Sequence, residues 1–240
     1  MIEWKIYKLE ITESTNDAAL AYADEGSVIF AEEQTKGRGR LGRTWESQRG
    51  NLFCSVVISV KDIPFIPYLS FSSAVSLGEA LAELCQKHSF LRAHITYKWP
   101  NDVMLNSKKI AGILLEIAEN PQRVIIGIGL NIKTIPKGKM NYPVSSLFEA
   151  GIKTEVEEVL KLFLKHLNKN IYTLRRDGFS SIRGRWLKNA EKIAQTITVR
   201  LANNSICGVF KGISEQGNLI LFIPQEEKEI IIPAGEIIID

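Results

Sequence analysis

The sequence predicts an α+β fold in two parts: a sheet-and-helix core over residues 1–192 and a small all-β module over 193–240. Three observations carry this. Short runs with two-residue alternation are interspersed with stretches of helical spacing. Two of those stretches, Tyr68–Lys87 and the one after Thr154, have apolar faces suited to a core. Beyond Gln195 the pattern changes to brief strands separated by tight turns.

Along the chain, Trp4–Leu9 reads as a first strand. Ser14-Thr15-Asn16-Asp17 introduces a helix to about Ala23, with Ser14 and Asp17 spaced as a capping box. Val28–Thr35 and Leu52–Lys61 are strands. Tyr68–Lys87 places Phe71, Val75, Ala82 and Cys85 at helical spacing beside Ala74, Leu77, Leu81 and Leu84. In the strand from Ile95, Tyr97 and Trp99 share one face and Thr96 and Lys98 the other. Pro100 stops regular pairing, and Asn101-Asp102 suits a turn. Asn106–Lys109 reads as a hairpin turn into Ile110–Glu116, and Asn120-Pro121 as a turn into Arg123–Ile132. A Pro/Gly/Lys loop runs to Pro143. Thr154-x-x-Glu157 then caps an amphipathic helix carrying Val156, Val159, Leu160, Phe163, Leu164, Leu167 and Ile171, and Phe179–Lys188 is helical. Strands around Ile197–Leu201, Ser205–Lys211, Gly217–Pro224, Lys228–Pro233 and Ile237–Asp240 complete the β-module.

Composition excludes several classes. The chain has 240 residues, 45% hydrophobic and 24% charged, as in a soluble globular protein. A formal charge of +3 is too small to imply nucleic acid. The N-terminus is too charged for a signal peptide, and no apolar run reaches membrane-spanning length. Cys54, Cys85 and Cys207 lie far apart in apolar patterns, which suits buried free thiols in a reducing cytoplasm. His88, His94 and His166 are isolated. No Gly-x-Ser-x-Gly, no His-Glu-x-x-His and no cysteine pair occurs, so neither nucleophilic hydrolysis nor zinc chemistry is signalled and no metal ligands are assigned.

What the sequence does signal is anion handling. Lys36-Gly-Arg-Gly-Arg-Leu-Gly-Arg-Thr44 packs four cations and three glycines into nine residues. Glycines let a backbone approach a ligand closely, and arginines supply forked, permanent charge. Gly37-x-Gly39-x-x-Gly42 matches a dinucleotide fingerprint by letter, and the same run mimics a P-loop. Both need a helix to follow. Only nine residues separate Gly42 from the strand at Leu52, so the loop joins two strands. Two further features accompany it. A mid-strand lysine is ordinarily solvent-exposed, but the Pro100-Asn101-Asp102 stop just after Lys98 favours reading it as facing a site. Gly127 and Gly129 leave one strand face as bare backbone for a ligand or another chain. Such an assembly brings two anions together.

Ser14-Thr15-Asn16, Gln34 with Gly37–Arg43, Trp45, Lys98–Asp102, Gly112–Glu116 and Gly127–Asn131 resemble biotin–protein ligases, in that family's order. The resemblance extends through the C-terminal β-module. It implies a mixed β-sheet catalytic core packed with helices, similar to class II synthetases and the biotin–lipoate ligase fold, followed by an SH3-like β-barrel. It implies condensation of biotin with ATP to biotinyl-5′-AMP, Mg2+ accompanying the nucleotide. Biotin then passes to one lysine of a biotin carboxyl carrier protein or domain, as in acetyl-CoA carboxylase. Carried over by position, Lys98, Arg38 and Arg40 would be catalytic, neutralising carboxylate and α-phosphate. Ser14, Thr15, Asn16, Gln34, Gly39, Gly112, Gly127 and Gly129 would surround biotin with those three cations. Arg43, Trp45 and Asn131 would join Arg38, Arg40 and Lys98 at the nucleotide. Simpler roles stay open for Ser14 and Thr15 as helix caps, Trp45 as a core aromatic and Asn131 as a turn residue. Since the first strand begins at once, no DNA-binding domain is expected ahead of it, and neither nucleic acid nor membrane is expected as a partner. A homodimer, and service of the β-module to ATP or to the carrier, stay open. The rival readings are a lipoate ligase or related acyl transferase, and more distantly a nucleic-acid-binding module.

Overall fold

The computed structural model describes residues 1–22, 24–60, 63–88, 93–120, 122–138 and 142–238. Ala23, Lys61, Pro121 and Asp240, named above as ends or turns, lie outside the described residues.

Among the described residues twelve strands and four α-helices follow one another as β1 (Lys5–Thr12), α1 (Thr15–Leu20), β2 (Ser27–Gln34), β3 (Leu52–Ser59), α2 (Ile66–Lys87), β4 (Ile95–Lys98), β5 (Asp102–Leu105), β6 (Lys108–Ile117), β7 (Arg123–Leu130), α3 (Val156–Asp177), α4 (Phe179–Lys188), β8 (Thr196–Arg200), β9 (Ser205–Ile213), β10 (Leu219–Ile223), β11 (Lys228–Ile232) and β12 (Glu236–Ile238). Seven strands form one sheet in the order β1-β2-β3-β7-β6-β5-β4, and five form a second in the order β11-β10-β9-β8-β12. In the first sheet β1 and β2 are parallel and the other pairs antiparallel, so the sheet is mixed as expected. The second is wholly antiparallel, and its ladder does not close from β11 to β12 among the described residues.

Two-residue alternation decides what each face of the large sheet carries. Val28, Phe30, Cys54, Val56, Val124, Ile126 and Ile128 belong to a buried cluster shared with α2, α3 and α4. The opposite face presents Ile29, Val57 and Ile125, covered by Ala19 of α1 together with Tyr7 and Tyr22. Continuing along that second face, β7 offers Gly127 and Gly129, which pair across the sheet with Ser55 and Phe53 of β3. The site is built there. On the helical side Gly78 of α2 is where Tyr97 packs; a Cβ at Gly78 would meet the Tyr97 hydroxyl at 2.1 Å. The C-terminal sheet shares the larger cluster through Val199, Phe210, Leu219, Leu221 and Ile237. It is also fastened by Trp99 Nε1, which donates to the Gly217 carbonyl at 3.0 Å, and by Arg183 Nε to the Ile213 carbonyl at 2.7 Å.

Four local expectations are corrected. Ser14 is the N-cap of α1 with extended backbone but makes no side-chain cap, and the Asp17 carboxylate pairs with Arg38 instead of closing a capping box. Glu155, not Thr154, is the N-cap of α3, and Glu157 pairs with Lys8 at 3.0 Å. Asp102, expected in a turn, instead begins a strand, Asp102–Leu105, whose Val103 and Leu105 are buried. Cys54 and Cys85 are buried, with burial pushing the Cys54 thiol up to about 12, but Cys207 lies on the outer side of β9 and is exposed.

Candidate active site

A cavity of about 360 Å3 opens between the glycine face of the large sheet, the basic loop and β12. Its floor is close-packed backbone. Gly112 of β6 pairs with Gly129 of β7. A Cβ at Gly127 would stand 2.4 Å from Asn16 Oδ1, and one at Gly129 would stand 2.5 Å from the Trp45 indole. Both are far inside van der Waals contact, so these positions hold glycine because polar and aromatic side chains lie directly on the sheet.

One end is polar and buried. Gln34 Oε1 accepts from the Thr15 backbone N–H at 2.8 Å and from Thr15 Oγ1 at 3.1 Å, while Gln34 Nε2 donates to Ser47 Oγ at 2.8 Å. Ser55 Oγ lies 2.8 Å from Thr15 Oγ1 and 2.5 Å from Asn16 Oδ1. Asn16 Nδ2 donates to Glu116 at 2.6 Å. This chain fixes donors and acceptors before any ligand arrives, which suits a polar ring in an otherwise apolar pocket.

The other end is ionic. Lys98, buried at the end of β4, donates to the Ile237 carbonyl at 3.2 Å and lies 3.3 Å from Asp102. Lys109 pairs with Asp102 at 2.7 Å and stands over the Trp45 and Tyr142 rings at 5.4 and 5.1 Å. Burial weakens the Lys109 ammonium, but Asp102, Tyr142 and Glu236 outweigh it and hold its pKa above the ordinary lysine value. Burial also pulls Arg40 down against the attraction of Asp102 and Glu236, without removing its charge. Its one side-chain bond is to Asn101 at 3.3 Å among the described residues. The other loop arginines are held by carboxylates. Arg38 makes two 2.6 Å bonds to Asp17 and reaches Glu116 at 3.2 Å; the Arg38 guanidinium keeps Asp17 below its usual range. Arg43 does the same to Glu236, at 2.8 and 2.5 Å. The Lys98–Asp102–Lys109 group, which keeps one positive charge, together with Arg40 gives the cavity a cationic end beside a polar glycine-backed pocket, where converging anions can be offset and held in line.

Residues 8–131 match the biotin/lipoate A/B protein ligase family, and residues 193–240 match the biotin protein ligase C terminal domain. The chain belongs to the biotin/lipoate A/B protein ligase family. It is 36% identical over 238 residues to a biotin–[acetyl-CoA-carboxylase] ligase of Paracoccus denitrificans, covering 94% of this chain and 97% of that relative. It is 32% identical over 217 residues to the bifunctional ligase/repressor BirA of Bacillus subtilis, covering 87% of this chain and 65% of that one. The biotin protein ligase from Aquifex aeolicus, solved with biotin and ATP, superposes with a TM-score of 0.85 at 28% identity, covering 97% of each chain.

In this ligase-family chain the cavity brings together Ser14, Thr15, Asn16, Gln34, Arg38, Gly39, Arg40, Arg43, Trp45, Lys98, Gly112, Gly127 and Gly129. Asn131 is placed elsewhere. It is buried just past the end of β7, donating its N–H to the Ile110 carbonyl at 2.8 Å and Nδ2 to the Ser145 carbonyl at 3.1 Å. Trp45 lies flat against the glycines, and its Nε1 finds no acceptor among the described residues. Sequence reasoning missed Asp102 as a lysine partner, Lys109, Tyr142 and Glu236, all of which line the cavity. Only Lys109 left a signal, as the last residue of an Asn-Ser-Lys-Lys turn two strands from Lys98. Among the described residues no helix is long and apolar enough to cross a membrane.

Proposed function

We propose that this protein is a biotin–protein ligase that uses ATP. A biotin carboxylate oxygen attacks the α-phosphorus, pyrophosphate leaves, and the lysine Nε of a carrier then attacks the acyl carbon, loses a proton and displaces AMP. The observation that carries this is the junction of the two ends of the cavity. Thr15, Gln34 and Asn16 form a buried hydrogen-bonded group beside the bare glycine backbone, and Lys98 lines the same cavity, which supports a polar ring at one end and a carboxylate–phosphate junction at the other. At 4 Å two such anions repel by about 4 kcal/mol at an effective dielectric near 20, which buried cations offset. Lys98 acts as a fixed point charge, Arg40 as a mobile one, and Trp45 as the nucleobase platform.

The same reading makes 1–192 the catalytic unit and 193–240 its companion, with Glu236 and Ile237 on the cavity wall. It makes the carrier a biotin carboxyl carrier protein or domain of acetyl-CoA carboxylase, the setting cytoplasmic and a homodimer compatible. Mg2+ is assigned to the nucleotide's own phosphates. Asp102 and Glu236 are committed to cations, and among the described residues no group of three metal-ligating side chains converges. Biotin-dependent ATP–pyrophosphate exchange tests the reading. Exchange with lipoate but not biotin would replace it with a lipoate ligase.

A further inference from the structure

Lys98 and Asp102 are register partners across the β4–β5 pair. Asp102 also reaches Lys109, on the following strand, and the two ammoniums share its oxygens at 3.3 and 2.7 Å. The side chains of Lys98, Asp102 and Lys109 are only 3%, 7% and 13% exposed. Solvent screens such a triad poorly, so its net charge matters more than any single contact. Were Lys98 the only partner of Asp102, the carboxylate would cancel the charge that the substrates need. With two ammoniums on one carboxylate, one positive charge remains.

We propose that Lys109 is a charge-positioning residue that takes up Asp102 and so leaves the Lys98 ammonium to the reacting carboxylate and phosphate. The inference rests on the ligase reading above. Three features support it. The Asp102 oxygen nearer a cation faces Lys109, at 2.7 Å. Lys98 donates one proton to the Ile237 carbonyl and stands 3.3 Å from Asp102 as an ion pair, which leaves donor capacity for the cavity it lines. Lys109 is kept protonated by Asp102, Tyr142 and Glu236 despite burial, and the faces of Trp45 and Tyr142 stabilise its charge. Arg40 and Arg43 also face Asp102 but form no bond with it among the described residues.

Biotin-dependent ATP–pyrophosphate exchange separates charge from packing in Lys109→Gln, Lys109→Arg and the double variant Lys109→Gln/Asp102→Asn. Lys109→Gln is expected to lower kcat about a hundredfold, the scale on which one preorganised charge acts in a closed site. KM for biotin should change less than about threefold, because the loss is confined to the transition state. Lys109→Arg, which keeps the charge, retains activity within about tenfold, and the double variant recovers at least about tenfold over Lys109→Gln because one net positive charge is restored. A double variant no faster than Lys109→Gln overturns the proposal. So does a Lys109→Arg protein as slow as Lys109→Gln, which would assign Lys109 to packing, or full activity in Lys109→Gln. Absence of exchange in the unmodified protein would overturn the ligase reading instead.

Discussion

Gly127→Ala isolates the role of the bare sheet face. Gly127 sits in β7 with ordinary strand backbone, so alanine brings no torsional strain. Its Cβ, however, would stand 2.4 Å from Asn16 Oδ1. A carbon–oxygen contact settles near about 3.3 Å, so the amide must retreat by about 0.9 Å. Asn16 cannot retreat and keep both its 2.5 Å contact with Ser55 and its 2.6 Å bond to Glu116. Losing the charged one costs about 2 kcal/mol. If Asn16 meets biotin as proposed, that is roughly thirtyfold in Kd. Isothermal titration with biotin measures it, and a thermal midpoint near the wild-type value keeps the loss local. In an Asn16→Ser background the same alanine should cost little, because the shorter side chain leaves room. Biotin affinity within about threefold of wild type would refute the reasoning.

Other expectations follow from the same geometry. Lys98→Ala should abolish biotin-dependent pyrophosphate exchange, whereas Arg40→Gly should form biotinyl-AMP that escapes into solution; undiminished exchange in Lys98→Ala refutes the charge role. Amides of residues 36–44 should gain hydrogen-exchange protection when biotin and ATP are added, since closing a glycine-rich loop orders a costly backbone. Equal protection with and without ligands would count against a closing cover. Asp17 is held below its ordinary value of 3.8 by Arg38, so its contribution to stability is present above that value and fades as pH falls through the lower folded one. Melting points of Asp17→Asn and wild type should therefore differ at pH 7 and converge in strong acid; a constant offset contradicts the pairing.

Periodicity and glycine placement made the mixed sheet and the cavity floor legible. Ile125, Gly127 and Gly129 share a face by simple alternation, and that face is where Asn16 and Trp45 lie. Side-chain choices between distant partners were not legible. Ser14/Asp17 and Thr154/Glu157 match capping boxes by spacing, yet Asp17 and Glu157 found stronger partners in Arg38 and Lys8, far along the chain. Strand β5 escaped because four residues behind Pro-Asn carry too short a pattern to oppose a turn signal. Glu236 escaped because its meaning exists only once the C-terminal sheet folds against the basic loop.

The apolar cluster that runs without a break from β3 into β10 and β12 has a consequence for how damage spreads. The carbonyl of Ile237 orients Lys98, so a substitution that loosens Phe210 or Leu221 shifts an ammonium it never touches. Screens for inactive variants should return lesions in β8–β12 that resemble active-site mutants in assay while leaving every ligand-facing side chain intact.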